Sequence, residues 1–341
     1  MKLLIITQQV NRTDPILGFF HRWIVEFSKH FESITVICLQ KGEYDLPSNV
    51  NVLSLGKEEK QSRSQYLWRF YSYVWSERRN YDVVLSHMNQ EYVLLAGWLW
   101  KILGKRIYMW RNHYAGDELT DMAAAFCAKI FCTSRHSYTA KYKKTVLMPV
   151  GVDTDLFKPD PAVTRVPDSI LSLGRIAPSK KLDVLISALR ILKDRGVSFT
   201  ASFYGDADGK DESYDQNLRE SVHGSGLESV VRFFPAVPND RTPLVYSAHD
   251  IFVNLSPSGM YDKTIFESMA CGCKVLVSNK DIASKIDAKY VFRQDDEVDL
   301  ADKLGVLLSE PAVGDEKLQK YAAENHSLVS LATELASAMS H

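Results

Sequence analysis

Two segments of this 341-residue chain combine charge, glycine and a helix-start signal in a way that suits an anionic ligand. The first, LGRIAPSKK (173–181), stands between an apolar run and an amphipathic stretch that begins near Leu182. Arg175 and Lys180 therefore lie where a strand hands over to a helix. Arg offers a planar fork of donors and Lys a point charge, so together they can neutralise a diphosphate without a metal ion. A solvated basic turn is the competing reading. The second segment, SPSGMYDKTIFESMACGCKVLVS (256–278), runs a polar loop with Gly259 into a helix whose start is marked by Asp262. The N–H groups of Thr264 and Ile265 fall in its first turn, where no intrahelical carbonyl reaches them, and such a helix start binds anions. Glu267, little more than a turn further on, is a carboxylate suited to two adjacent ribose hydroxyls. A plain N-cap at Asp262 and a surface charge at Glu267 are the alternative.

The five cysteines (Cys38, Cys127, Cys132, Cys271, Cys273) are odd in number and sparse, which reads as reduced thiols in a reducing compartment. Cys271 and Cys273 have no neighbouring Cys/His cluster, so they read as packed thiols and no metal site is expected.

Elements that must position these residues are visible as a rhythm. KLLIIT (2–7), ITVICL (34–39), DVVLSH (82–87), RIYMW (106–110) and KIFCTS (129–134) are short, nearly continuous apolar runs. Such runs suit strands buried on both faces of a parallel sheet. Amphipathic stretches lie between them at 17–30, 65–79 and 91–103, the first with Phe20, Ile24, Phe27 and Phe31 on one stripe. The segment 145–169 breaks the rhythm with Pro149, Pro159, Pro161 and Pro167, and reads as a stiff linker. Strand patterns return at 169–174, 199–205, 230–235, 250–255 and 274–278. Helix patterns return at 182–195, 213–223, 241–248 and 263–271. The Ala-rich stretch 316–339 reads as one or two further helices. The expected class is α/β, with two facing Rossmann-like doubly wound domains and ligands bound in a cleft between them, at the strand C-terminal ends. The domains are placed at 1–155 and 156–325, with a C-terminal helix at 326–341 that packs back on the first.

Charge sharpens the division. The chain carries 41 Lys+Arg against 42 Asp+Glu, a net of −1. Residues 1–150 hold 20 basic and 13 acidic residues, and residues 151–341 hold 21 and 29, so +7 faces −8. All six Trp lie in the first half. YLWRFYSYVWSERRN (66–80) and WLWKILGKRIYMWR (98–111) interleave aromatics with Arg69, Arg78, Arg79, Lys101, Lys105 and Arg106. Such surfaces lie on anionic bilayers, although core packing of the aromatics explains the pattern equally. MKLLIITQQV is too short in apolar length for a signal core, and no run reaches a membrane span. The expectation is a cytoplasmic protein, at most peripheral to the inner face of the membrane.

The order and spacing of four segments resemble the retaining GT-B glycosyltransferases of family 4 (glycosyl transferases group 1). LGRIAPSKKLDVLISAL is similar to that family's Gly-Arg…Lys segment, and FESMACGCKVLVS to its Glu-Ala-Met-Ala-Cys-Gly segment. VLMPVGVDTDLFKP is similar to its crossover, and FFPAVPNDRTPLVYSAHDIFVNLSPS to the stretch that forms its base pocket. The resemblance implies that Arg175 and Lys180 hold the donor diphosphate with the N–H groups of Thr264 and Ile265. It implies that Glu267 binds the ribose, that the Val237 backbone meets the base, and that Gly18 lets the chain approach the donor. His113, after a strand, takes the place beside the transferred sugar, with His87 competing and His21 near Gly18. Gly259 stands where the family has a sugar-binding Glu, leaving Asp262 and Lys263 as nearby substitutes. Lys181 replaces a usual Gly.

The implied activity is transfer of a sugar from a nucleotide-diphosphate sugar to a glycan or lipid-linked acceptor, with retention and without a metal or cofactor, in cell-surface polysaccharide synthesis. A nucleotide-sugar epimerase of the same architecture and a non-catalytic nucleotide-sugar binder are the alternatives. A nucleic-acid partner is not expected, because no nucleic-acid motif accompanies the charge. A dehydrogenase is disfavoured, because no G-x-G-x-x-G follows the first strand.

Overall fold

A computed structural model describes residues 1–259 and 261–340. It divides into two compact units, Met1–Gly151 with Leu328–His341, and Val152–Ser327.

The first unit is built on seven parallel strands: β1 (Lys2–Val10), β2 (Ser33–Lys41), β3 (Val50–Ser54), β4 (Val83–His87), β5 (Arg106–Trp110), β6 (Lys129–Cys132) and β7 (Thr145–Leu147). Their order is β3-β2-β1-β4-β5-β6-β7. Alternation along β1 explains its continuous apolar run. Leu3 and Ile5 enter one core with Phe20, Trp23 and Leu331, and Leu4 and Ile6 enter the other with Phe70, Val93 and Ala124. A strand buried on both faces must be apolar at every position. Helices Phe19–Phe27 and Leu328–Ser340 cover the first face. Arg63–Ser76, Gln90–Ile102 and Glu118–Phe126 cover the second. The expected stripe Phe20, Ile24, Phe27 and Phe31 is buried as a set.

The tail resolves into two helices, Glu316–His326 and Leu328–Ser340. The second belongs to the first unit. It buries Leu331, Ala332, Leu335 and Met339 there, and its last turn accepts hydrogen bonds from the Tyr108 hydroxyl and Lys129 Nζ.

The second unit holds five parallel strands: β8 (Ser169–Leu173), β9 (Thr200–Tyr204), β10 (Val231–Phe234), β11 (Ile251–Asn254) and β12 (Lys274–Val277), in the order β10-β9-β8-β11-β12. The chain winds outward from β8 in one direction and then returns to its other side. The β8/β11 boundary is therefore a topological switch point, where loops at the strand C-termini splay apart and leave a crevice.

All ten strands expected from apolar runs are present. The structure adds β3 and β7, both at sheet edges. Edge strands are short and partly solvated, so VNVLS and TVL carry no continuous apolar signal. The stretch 145–147, expected as the start of the linker, is strand β7 for that reason. Helices Glu118–Phe126 and Glu297–Leu308 also lay outside the sequence pattern, although Asp117 and Asp296 cap them.

Candidate functional site at the β8/β11 switch point

The loop after β8 carries Gly174 and Arg175 and closes in a short 3-10 turn, Pro178–Lys180, before helix Leu182–Asp194. Lys181 takes φ +50°, in the left-handed region that favours glycine. The Lys found where the resembling family carries Gly thus sits in a turn that favours glycine, and its ammonium pairs with Asp295 at 2.6 Å.

That turn aims Lys180 at the loop after β11. Its Nζ pairs with the Asp262 carboxylate and lies 3.3 Å from Ser256 Oγ. Asn254 Nδ2 donates to Asp262 Oδ2 at 3.0 Å, and Ser256 Oγ donates to the same oxygen at 3.0 Å. Asp262 is also the N-cap of helix Lys263–Ala270. Burial pushes its carboxyl up, but Lys180, Asn254 and Thr264 outweigh that and hold it below the ordinary carboxylate range. A five-residue network of Lys180, Asn254, Ser256, Asp262 and Thr264 therefore occupies the switch point. Beside it a shallow concavity is lined by Leu173, Gly174, Arg175, Lys180, Tyr204 and Asn254.

The structure changes one part of the expected anion site. The Thr264 N–H points to Asp262 Oδ1 at 3.4 Å, and the Ile265 N–H donates to the Asp262 carbonyl at 3.2 Å. The helix start is satisfied by its own cap rather than open. Arg175 is held more loosely. It is exposed and pairs with the equally exposed Asp208 at 3.0 Å, a kind of contact worth little in water.

Glu267 is buried on the same helix. Asn239 Nδ2 donates to its Oε1 at 3.4 Å and the Tyr246 hydroxyl to its Oε2 at 3.4 Å. Burial pushes its carboxyl up against the opposing Lys263, one helical turn before it. Burial likewise pulls the Lys263 ammonium down, opposed by Glu267 and Asp153. Val237 lies in the loop after β10, two residues before Asn239. Gly259 has φ +89°, so the loop turns there in a conformation that a Glu would strain.

Gly18 and His113 belong to the first unit. Gly18 starts helix Phe19–Phe27, and a Cβ there would run into the backbone oxygens of Asp14 and Arg12. His113 follows β5, accepts from the Ala115 N–H at 3.0 Å and stacks on Tyr114 with centroids 4.6 Å apart. His87, its competitor, is a core residue, 2% exposed, stacked on Phe20 at 3.8 Å and 3.1 Å from Thr7 Oγ1. His21 accepts from the Asp45 N–H at 3.1 Å.

Sequence reasoning overlooked Asn254 and Ser256. Their signal was a polar Asn ending the otherwise apolar strand DIFVNL. It also passed over two Asp-x-Asp tripeptides, 153–155 and 206–208. Asp153 Oδ1 accepts from the N–H groups of Asp155 and Leu156 in a local turn, and Asp208 is the partner of Arg175. No group of three His, Cys, Asp or Glu placed to share a metal ion occurs among the described residues. The five thiols are buried and unbridged.

A family model described as Glycosyl transferases group 1 matches residues 167–310. The matched span lies within the second unit, Val152–Ser327. Mannosylfructose-phosphate synthase of Agrobacterium fabrum is 29% identical over 153 residues, 41% of this chain and 34% of its own. A GDP-mannose-dependent alpha-(1-6)-phosphatidylinositol monomannoside mannosyltransferase of Mycobacterium tuberculosis is 30% identical over 114 residues, 31% of this chain and 28% of its own. The chain spans about a third of the length of the curated relatives it matches. Among solved structures, Anabaena Alr3699/HepE in complex with UDP and glucose superimposes with a TM-score of 0.80 at 18% identity, over 100% of this chain and 99% of that one. Sucrose-phosphate synthase from Thermosynechococcus elongatus superimposes with 0.77 at 14%, over 99% and 98%. The fold is GT-B, as its resemblance implied. Arg175, Lys180, Val237, Gly259 and the helix start through Glu267 all fall inside the matched span, whereas Gly18 and His113 lie outside it.

Proposed function

We propose that this chain is a glycosyltransferase that uses a nucleoside-diphosphate sugar, and that the β8/β11 switch point holds the donor diphosphate. The observation that carries this reading is the pairing of Lys180 with Asp262 at the start of helix Lys263–Ala270, beside a concavity that Arg175 also lines, within the span matched by the group 1 model. In the transfer the bond between the anomeric carbon and the β-phosphate oxygen breaks, and its electron pair leaves with the diphosphate. Arg175 and Lys180 stabilise that growing charge. The acceptor hydroxyl attacks from the side the diphosphate leaves, its proton passes to the departing phosphate oxygen, and configuration is retained. Two cations supply the charge that a metal supplies elsewhere, so turnover is metal-independent.

The donor reaches the helix N–H groups of Thr264 and Ile265 by sharing or displacing the contacts of Asp262. Glu267 takes the ribose hydroxyls, and the Val237 backbone meets the base. Gly259 removes a carboxylate from the sugar side, so Asp262 and Lys263 contact the sugar. Gly18 and His113 serve the sugar and acceptor from the first unit. The acceptor is a glycan or lipid-linked glycan of cell-surface polysaccharide synthesis. Among the described residues no helix is long and apolar enough to cross a membrane, and the proposed location is cytoplasmic, at the inner membrane face.

Isothermal titration against a panel of nucleoside diphosphates and their sugars, with and without EDTA, tests the reading. One nucleotide should bind in EDTA, and Arg175→Ala with Lys180→Ala should abolish turnover. Retention of turnover within a few-fold by the double variant would sink the diphosphate assignment. Turnover of the sugar nucleotide without acceptor would favour the epimerase instead.

A further inference from the structure

Two helices of the first unit expose large apolar side chains in a single seam. On helix Arg63–Ser76, Trp68 and Trp75 are 71% and 53% exposed. They flank Tyr71 at i, i+3 and i+7, the spacing of one helical face. On helix Gln90–Ile102, Trp98 and Ile102 are 50% and 74% exposed and follow Leu95 at i+3 and i+7. The Tyr71 hydroxyl donates to the Leu95 carbonyl at 2.8 Å, and Trp98 Nε1 donates to the same carbonyl at 2.9 Å. The two rows therefore meet at one point and form one patch. Leu67, also exposed, extends it. The remaining aromatics of these helices go inward: Phe70 and Trp100 lie in the core.

Charge around the patch has one dominant sign. Helix Arg63–Ser76 holds no acidic residue. The Arg78 guanidinium stacks on Trp75 at 4.4 Å, Arg63, Arg79 and Lys101 are exposed at or just beyond the helix ends, and Arg106 is exposed at the start of β5. Arg69 is paired with Glu59, and Lys105 is turned to the Tyr81 carbonyl. The acidic groups nearby are Glu77, bonded to Asn80, and Glu91 at the far end of the second row. Exposed indole rings with a cationic rim match the headgroup layer of an anionic bilayer, where Trp places its apolar ring among acyl chains and its N–H among polar groups. A second protein surface would not need cations on nearly every side.

We infer that the seam of Leu67, Trp68, Trp75, Trp98 and Ile102 docks the first unit on an anionic membrane, with Arg78, Arg79 and Lys101 at the lipid phosphates. The chemistry is independent of the donor site, so its failure and that of the glycosyltransferase reading are separable.

The test is co-sedimentation of the full chain with phosphatidylcholine vesicles, with or without phosphatidylglycerol, alongside nucleotide titration. Anionic vesicles should bind the chain, with a blue-shifted Trp emission and an affinity that falls as salt rises. Trp68→Ser with Trp98→Ser should weaken vesicle binding at least ~10-fold, since each loses most of its insertable apolar area. Arg79→Gln with Lys101→Gln should weaken only the phosphatidylglycerol-dependent part. Circular dichroism and nucleotide affinity should match wild type in both, because all four side chains are exposed. The inference is overturned if wild type ignores anionic vesicles at low salt, or if the Trp pair binds them unchanged. It is also overturned if light scattering shows a dimer that the Trp pair dissolves.

Discussion

Replacing Lys180 by Met should uncouple the switch-point network and leave a pH signature. Methionine keeps the apolar stem of Lys180 and removes only the ammonium. Asp262 is then left with Asn254, Ser256 and its own helix start as partners. Removing one member of a buried pair costs about 3–5 kcal/mol. Here the two side chains are 21% and 13% exposed, so water offsets part of the loss and about 2–3 kcal/mol is expected at pH 7. In wild type the folded Asp262 carboxyl lies below its unfolded value. Its contribution is therefore present above about pH 4 and is lost as pH falls through the folded value. In the variant, burial is the largest remaining influence and moves the carboxyl above its unfolded value, so the charged form costs stability as pH rises. The unfolded state is the same for both at these pH values. The deficit should then shrink by about 1.4 kcal/mol for each unit by which the variant's carboxyl exceeds the assay pH. Urea unfolding at pH 7 and pH 4 measures this. All six Trp lie in the first unit, so Trp emission reports that unit alone and far-UV circular dichroism adds the second. A deficit that is equal at both pH values, or larger at pH 4, would refute the argument. So would an Asp262→Asn, Lys180→Met double variant no more stable than Lys180→Met.

Other consequences follow from named contacts. Because burial raises the Glu267 carboxyl, nucleoside diphosphate affinity should rise between pH 6 and pH 8 as it ionises. Glu267→Gln should bind roughly tenfold more weakly at pH 8, the worth of one charge-assisted hydrogen bond, and should lose the slope; equal slopes in titration calorimetry would contradict this. Lys274 is buried against Asp250 at 3.3 Å and also holds the Leu307 and Glu310 carbonyls. Lys274→Ala should cost about 3–5 kcal/mol in urea unfolding, and adding Asp250→Leu should recover at least ~1 kcal/mol by removing the stranded charge. Leu335, 1% exposed in the core that also holds Trp23, should cost about 2–5 kcal/mol when cut to Ala, with the loss visible in Trp emission.

The histidines show where a sequence reading stops. His87 and His113 both end or follow strands, and nothing in their neighbours separates them. Only the structure puts one under Phe20 in the core and the other beside Tyr114 in a loop. The aromatic-basic segments divide the same way: Trp100 and Trp110 are core, whereas Trp68, Trp75 and Trp98 face solvent. Gly259 looked like a missing carboxylate, and its φ of +89° adds a backbone reason for glycine.

Local physics was enough for much of this protein. Strands buried on both faces must be apolar throughout, so ten of them and the doubly wound class could be read directly from the chain. Asp262 had to cap a helix, and Arg175 and Lys180 had to stand where a strand hands over to the next helix, because both depend on neighbours in sequence. Tertiary structure alone decided that Lys180 meets a carboxylate 82 positions away and that Asn254 and Ser256 complete the pair. It also spent the supposedly open helix N–H groups on Asp262. Those outcomes depend on which strand lies beside which, and strand order is set by packing between elements that share no local pattern.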